Sequence, residues 1–404
     1  MKLLEDVRVL DLTQLYPGEY ATLALADLGA NVLKVERPGV GDIVRLREPT
    51  YKGDSRDHAI RNRAKDSLSL DLKSEDGREI FLDLAAEADV IVESFRPGVV
   101  DRLGIGYDDV SDVNEEIVYC SLSGFGQDGP RADDAGYDLT FLAMTGMLST
   151  MGHDANEPPV PPGFPMVDVG SALTAAFSIV SALFARDRAG EGHYLDVSMA
   201  EVAANWGQLF PETFFDDSPP SRGEQHYGNH PGNTVYEAAD GEHLAVCAFD
   251  RTWAEFCRAI GREDLVDAGP AVESERFGPI REEIATAIAD RPRAEWLERF
   301  ADRGVAAEPV VDLDEIPLNE QFTSREFVQT VTYPDGDEVP YYRLPLLVDD
   351  RVATDRTHAP RLGEDTDDVL EAAGYEREEI DDLVARGIVE RRSRDDERVA
   401  GCDD

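Results

Sequence analysis

The sequence predicts an α/β fold: a large domain built on a parallel sheet with helices on both faces, followed by a smaller α+β domain. Three observations lead there. Short β-branched runs alternate with helical stretches through the first half of the chain, the pattern of strand–helix–strand units whose strands pair in parallel. The texture changes at 216–233, where DDSPPSRGEQHYGNHPGN is dense in Pro, Gly and polar residues. Beyond it the order becomes a hairpin followed by helices.

In the first part VRVLDL (7–12), NVLKVE (31–36), SLSLDL (67–72), DVIVES (89–94) and IVYCSLS (117–123) read as strands, with helices expected over 17–28 and 74–87. Val, Ile and Leu dominate these runs, as suits a pleated, buried surface. A long apolar helix is expected to follow Asp168 through VGSALTAAFSIVSALFARDR and to stop at Gly190, with YLDVSM as the next strand. TVYEAADGEHLAVCAF reads as a hairpin with an Asp-Gly turn, and DRTWAEFCRAIGR and the segments up to residue 305 as helical. From residue 330 a further linker containing YPDGDEVPYYRLP leads to helices in TDDVLEAAGY and EREEIDDLVARGIV, and the charged end, 390–404, is expected to fray. The expected division is 1–215 for the large domain, 216–233 for a linker or flexible loop, 234–325 for the small domain, and 326–404 for a linker and helices returning to the large domain.

At 404 residues the chain suits two domains, or one with a large insertion. A hydrophobic share of 42% is that of a globular protein and outweighs the net charge of −45 as a sign of disorder, so the excess acid belongs on the surface. Asp and Glu number 84 against 39 Lys and Arg, and the only lysines are Lys2, Lys34, Lys52, Lys65 and Lys73. An acidic surface nearly emptied of lysine suits a cytoplasm at molar salt, where a short Debye length screens self-repulsion; the chain reads as that of an extreme halophile. So acidic a protein, with no basic stripe, repels phosphate backbones and anionic bilayers, and neither nucleic acid nor membrane is an expected partner. No run approaches the ~18 apolar residues of a membrane span, and MKLLEDVRVLDL contains no signal-like apolar region, so a cytoplasmic location is expected. Cys120, Cys247, Cys257 and Cys402 form no C-x-x-C pair, and neither a metal site nor a disulfide frame is expected.

Gly124-Phe125-Gly126-Gln127-Asp128-Gly129 is a G-x-G-x-x-G directly after a predicted strand. A dinucleotide site needs an apolar helix opening toward the pyrophosphate, whereas Pro130, Arg131, Ala132, Asp133 and Asp134 follow here, and the two acids repel phosphate. The segment is read instead as a glycine loop near an active site. Asp168 stands where a Pro-rich loop enters the long helix. A carboxylate there can serve as an N-cap worth ~1 kcal/mol, and the residues alone carry the reading no further.

Several segments recur in an order that resembles, from end to end, the class III CoA-transferase family, which includes formyl-CoA transferase, the carnitine CoA-transferase and the α-methylacyl-CoA racemases. They are VRVLDLTQLYPGEYATLALADLGANVLKVERPGVGDIVR (7–45), SLSLDLKSEDGREIFLDLAAEADVIVESFRPGVVDRLGIGYDDV (67–110), CSLSGFGQDGP (120–130), the Asp168 segment through GEGHYLDVSMAE (190–201) and APRLGEDTDDVL (359–370). The resemblance implies a large Rossmann-like parallel-sheet domain, a smaller α+β domain joined by long linkers, and an interlocked homodimer. It implies that Asp168 is the nucleophile, and that Leu15, Arg37, Leu70, Lys73, Arg96, Arg102 and Tyr137 bind CoA. The 3′-phosphate and pyrophosphate of CoA suit such a set of cations. A basic contact that some members carry two residues before the tyrosine is Ala135 here. No permanently bound cofactor is implied, since the CoA thioester is a substrate.

Two branches of the family differ in their acid–base groups. Racemisation needs a His and an Asp on opposite faces of the substrate, the His lying in a G-H-D triplet. Here the triplet is Gly136-Tyr137-Asp138, and a phenol with a pKa of about 10 is a poor base at neutral pH, which favours CoA transfer. His153, in MGHDAN, lacks that motif context. Arg45 and Arg47 follow the CoA-binding arginine and suit a second carboxylate. Succinyl-CoA as donor and mesaconate or a related C4–C5 acid as acceptor are therefore expected, with transfer within one diacid as an alternative. Gly228–Asn233 reads either as a lid or as an interdomain linker, with His230 placed at the acid-binding wall.

Overall fold

The computed structural model describes residues 2–51, 54–215, 222–223, 226–249, 251–268, 276–349 and 357–392. The chain divides into two compact units: Met1–Leu142 with Phe164–Asn205 and Thr323–Asp404, and Ala143–Gly163 with Trp206–Phe322. The second unit therefore begins earlier than the expected 216–233 boundary and includes a segment, 143–163, from within the expected large domain.

In the first unit the strands line up as Val389–Glu390, Asp66–Leu70, Asn31–Glu36, Arg8–Leu12, Val90–Glu93, Val118–Ser123 and His193–Ser198. Neighbours are parallel throughout, except that Val389–Glu390 runs antiparallel to Asp66–Leu70. Leu10 lies level with Leu33 on one side and Ile91 on the other, and Ile91 with Tyr119.

Strand alternation gives this sheet two unlike faces. Leu10, Val35, Leu68, Ile91 and Tyr119 form one, buried against Ile80 and Phe81 of the helix Glu75–Ala85 and against Leu370, Ile380 and Leu383 of the C-terminal helices Thr366–Ala372 and Arg377–Ala385. The alternate residues Asp11, Lys34, Glu36 and Ser67 are just as buried but polar. Asp11 accepts bonds from Lys65 Nζ at 3.0 Å and Thr22 Oγ1 at 2.7 Å; Lys34 Nζ pairs with Asp42 at 3.1 Å and donates to the Thr13 carbonyl at 2.9 Å. Burial alone would push Asp11 up, yet Lys65, Lys34 and two hydroxyls hold it at about 2. Enclosed charges persist only when they are paired, and Asp11 with Lys65 and Lys34 with Asp42 are paired in this way beneath the helix Leu15–Asp27.

The helix Met166–Ala189 ends at Gly190 with φ +70°, the left-handed stop that glycine permits. By length and composition it could cross a bilayer, contrary to the expectation that no apolar run approaches that size. Within this unit it packs against Leu15–Asp27 and Val118–Ser123, while Leu173, Phe177 and Phe184 stay exposed. The expected linker after 326 contains a hairpin, Val328–Thr332 paired with Glu338–Tyr342, turned by Pro334-Asp335-Gly336-Asp337 with Gly336 at φ +91°. Of the end expected to fray, 393–404 lie outside the described residues.

The second unit carries an antiparallel sheet ordered Ala306–Pro309, His243–Cys247, Asn233–Glu237. The hairpin expected over TVYEAADGEHLAVCAF is its centre. Helices Arg251–Ala259, Phe277–Ile288 and Arg293–Ala301 cover it, with Trp253, Phe256, Ile284, Trp296 and Phe300 buried in the core. Of the expected linker, 216–221 and 224–225 lie outside the described residues. Arg222 is bonded to the carbonyls of Ser149, Asp154, Ala155 and Glu157.

Candidate active site

The carboxyl ends of the strands Arg8–Leu12, Asn31–Glu36, Asp66–Leu70 and Val90–Glu93 surround a cavity of about 400 Å³. Parallel sheets gather ligands at this edge. Arg37, Leu70 and Lys73 line it; Leu15, Arg96 and Arg102 do not, although their neighbours Gln14, Phe95 and Leu103 do. Leu15 is held at φ +65° at the start of its helix. Arg37, Lys73, Arg96 and Arg102 are exposed, and none has a carboxylate partner among the described residues. In a chain with 84 acids that is a notable vacancy of counter-charge. Several other arginines are paired, as Arg262 is with Asp264 and Arg377 with Asp367, while Arg222 and Arg343 bond only carbonyls among the described residues.

Asp168 lies in the first turn of Met166–Ala189. It is not the N-cap. Pro165 occupies that position without a side-chain bond, and Asp138 supplies the cap from outside the helix: its Oδ2 accepts the N–H groups of Val167 at 2.6 Å and Asp168 at 3.0 Å. The Asp168 carboxyl is pushed up to about 6 by burial first and by Asp138 second, with Arg47 and Arg61 pulling it back. Such a carboxylate is ionised at neutral pH and more basic than a free one, the condition for a nucleophile.

Arg45 and Arg47 part company. Arg45 is 5% exposed and forks onto Glu36 at 2.8 and 2.6 Å, with a third bond to Asp54 at 3.2 Å. Its guanidinium is spent on the fold, which corrects the expectation that it receives substrate. Arg47 is half-exposed, 3.8 Å from Asp57, and close enough to Asp168 to lower its pKa. Tyr137 is 73% exposed and immediately precedes Asp138.

His230 also departs from expectation. It is 0% exposed, with Nδ1 accepting the Gly232 N–H at 2.9 Å and the ring packed among Phe249, Trp253 and Phe277. The side chain belongs to a core and is out of reach of a substrate acid. His153 bonds Asn229 through Nδ1 at 2.9 Å. In the glycine loop the Gln127 N–H is already donated to Asp196 at 2.9 Å, and no helix follows before Asp138, so the segment lacks the form of a pyrophosphate cradle.

Asp138, Tyr16 and Arg61 were not singled out by the sequence. Tyr16 stacks on Tyr20, lies under the Arg61 guanidinium at 4.8 Å, and feels the charge of Asp168. Arg61 also bonds Glu19 at 2.9 Å. Asp138 had one available signal, its place in the triplet read only for Tyr137.

A parallel α/β sheet with Arg37 and Lys73 in a cavity at its carboxyl edge, together with a carboxylate more basic than a free one, has the form of an enzyme that handles an anionic ligand. The family model for CoA-transferase family III matches residues 4–366, and the chain belongs to that family. It is 34% identical over 394 residues to the succinyl-CoA:mesaconate CoA-transferase of Haloarcula hispanica, covering 93% of this chain and 97% of that protein. It is 33% identical over 413 residues to the formyl-CoA:oxalate CoA-transferase of Streptomyces avermitilis (96% and 100%), and 31% identical over 394 residues to the α-methylacyl-CoA racemase of Homo sapiens (96% and 97%). Among solved structures, a CaiB/BaiF family protein from Brucella suis superposes with a TM-score of 0.78 at 26% identity, covering 91% of this chain and 98% of that one. The chain is thus an enzyme that transfers CoA, as the sequence implied.

Proposed function

We propose that the enzyme moves CoA from succinyl-CoA to mesaconate or a related C4–C5 dicarboxylate through covalent intermediates on Asp168. The observation that carries this reading is the Asp168 carboxyl itself, basic and part-buried, with Arg47 and Arg61 in its field. Asp168 attacks the thioester carbonyl, forming a mixed anhydride and releasing the CoA thiolate. The thiolate attacks the aspartyl carbonyl, releasing the donor acid and leaving an aspartyl-CoA thioester. The acceptor carboxylate attacks that thioester, the thiolate departs, and it then opens the second anhydride at the acceptor carbonyl, freeing Asp168. Splitting the exchange keeps the thioester energy on the enzyme.

Arg37, Lys73, Arg96 and Arg102 are assigned to the CoA phosphates and Leu15, Leu70 and Tyr137 to its remaining contacts. Arg47 is the side chain suited to the far carboxylate of a diacid. Relatives acting on succinyl-CoA and mesaconate, 34% and 33% identical and both from Haloarcula species, support this pair. The reading includes no resident cofactor or metal, a cytoplasmic enzyme adapted to molar salt, and a homodimer in which a second copy covers Leu173, Phe177 and Phe184.

The test is a mass-spectrometric screen of acyl-CoA donors against mono- and dicarboxylic acids in molar KCl. Succinyl-CoA with a C4–C5 diacid should give the highest turnover, and Asp168→Ala should lose at least ~10³-fold in kcat while remaining folded. Solvent deuterium at Cα of a 2-methylacyl-CoA, without CoA exchange, would make the enzyme a racemase. An Asp168→Ala variant as active as the wild type would exclude the covalent route.

A further inference from the structure

Glu93 closes the strand Val90–Glu93 in the middle of the sheet, level with Leu12 on one neighbour and Ser121 on the other, and is 1% exposed. No step of the covalent mechanism uses it. Its Oε2 accepts the Phe95 N–H at 2.7 Å, closing the turn after the strand. Within that turn the Ser94 Oγ accepts the Gln14 N–H at 2.8 Å, tying it to the turn after the strand Arg8–Leu12. Phe95 and Gln14 both line the cavity of about 400 Å³, and Arg96 is the next residue along. The carboxylate therefore lies beneath one wall of the cavity and sets its shape through backbone bonds.

On its other side Ser121 acts on the carboxyl as a donor that lowers its pKa, and the Tyr194 hydroxyl lies 3.1 Å from Ser121 Oγ. Both bonds to Glu93 thus run toward it as acceptor, the arrangement that suits its ionised form. The titratable groups facing it are Tyr119 and Cys120 on Val118–Ser123, Tyr194 and Asp196 on His193–Ser198, and Asp101 on the helix Val99–Leu103. Each is an acid, and none neutralises it. Burial, with Asp101 and Asp196 adding to it, pushes the carboxyl up to about 7 against the pull of the Ser121 and Phe95 bonds.

We propose that Glu93 is a positioning residue for CoA: ionised, it fixes the Ser94–Arg96 turn in the binding shape, and protonated, it lets that wall relax. The proposal rests on the assignment of the cavity to CoA. Full-length wild type, Glu93→Gln, Ser121→Ala and Lys73→Ala are compared in molar KCl from about pH 5.5 to about pH 8.5, by calorimetric binding of free CoA and by steady-state kinetics. Wild-type Kd for CoA and KM for acyl-CoA should rise roughly five-fold as pH falls through about 7, with kcat at saturation following Asp168 instead. Glu93→Gln should bind weakly at every pH, with that dependence gone and kcat close to wild type. Ser121→Ala keeps the carboxyl but removes its donor, so its midpoint should move to higher pH; this variant carries the test if Glu93→Gln does not fold. A Glu93→Gln enzyme that retains the wild-type pH dependence of Kd, or loses kcat with Kd unchanged, overturns the proposal. Unchanged CoA affinity in Lys73→Ala overturns the placement of CoA in the cavity, and the role of Glu93 with it.

Discussion

At Asp168 opposite influences on one proton determine how the residue behaves. Burial and Asp138 raise its pKa from 3.8 to about 6, while Arg47 and Arg61 resist. The native state thus holds the proton longer than the unfolded chain does. Ionising Asp168 costs stability as pH rises from 3.8 to about 6, and above that the cost is constant. A rise from 3.8 to about 6 corresponds to about 3 kcal/mol for an enclosed group, reduced to about 1 kcal/mol by the partial exposure here. Asp168→Asn should therefore be about 1 kcal/mol more stable than wild type near neutral pH, equal to it below pH 4, and catalytically dead. Arg47→Leu removes a charge that favours the carboxylate, so the acid limb of kcat should move above pH 6, and KM for a dicarboxylate should rise more than KM for a monocarboxylate. An acid limb that stays in place, with both acids affected alike, would detach Arg47 from the site.

The element that presents Asp168 was readable in outline but not in its anchoring. The apolar run and Gly190 announced the helix Met166–Ala189. Its cap could not be read locally, because Asp138 is far away in sequence and reaches the helix only once the fold forms. Asp138→Ala should cost about 1–2 kcal/mol as a lost cap, and removing a negative neighbour should shift the acid limb of kcat below 6. A chemical-denaturation curve and a pH–rate profile on the same variant check both effects; a limb moving upward contradicts this electrostatic account. The same contrast separates Arg45 from Arg47. Two arginines separated by one residue look alike in sequence, and only the strand Asn31–Glu36 brings Glu36 against the first of them. His230 was misjudged for a related reason: a polar, glycine-rich sequence says nothing of the aromatic shell that Phe249, Trp253 and Phe277 build around it. The hairpin Val328–Thr332 with Glu338–Tyr342 did carry its signal, a Pro-Asp-Gly-Asp turn between β-branched residues, but turn and strand alike were absorbed into an expected linker.

Across the whole molecule, charge is sorted by depth. Lys34 and Lys65 are 0% and 2% exposed, locked against Asp42 and Asp11, while Lys2 and Lys73 are the lysines at the surface among the described residues. Lysine has thus been kept where a buried acid needs a partner and nearly removed where water is the neighbour. Buried pairs are screened little by salt, whereas exposed acids repel one another over a distance that shrinks from about 10 Å at 0.1 M to about 3 Å at 1 M. The net charge of −45 is therefore a burden carried by the exterior, and its size depends on the solvent. The melting temperature should fall by at least ~10 °C on dialysis from molar KCl into dilute buffer. KCl and NaCl should restore it alike, and an equal osmolarity of sucrose should restore less, because sucrose strengthens burial without screening charge. Calorimetric scans across a KCl series measure this directly. Equal melting temperatures in dilute buffer and in molar salt would mean that surface repulsion is not what limits the fold, and the surface scarcity of lysine would then need another cause.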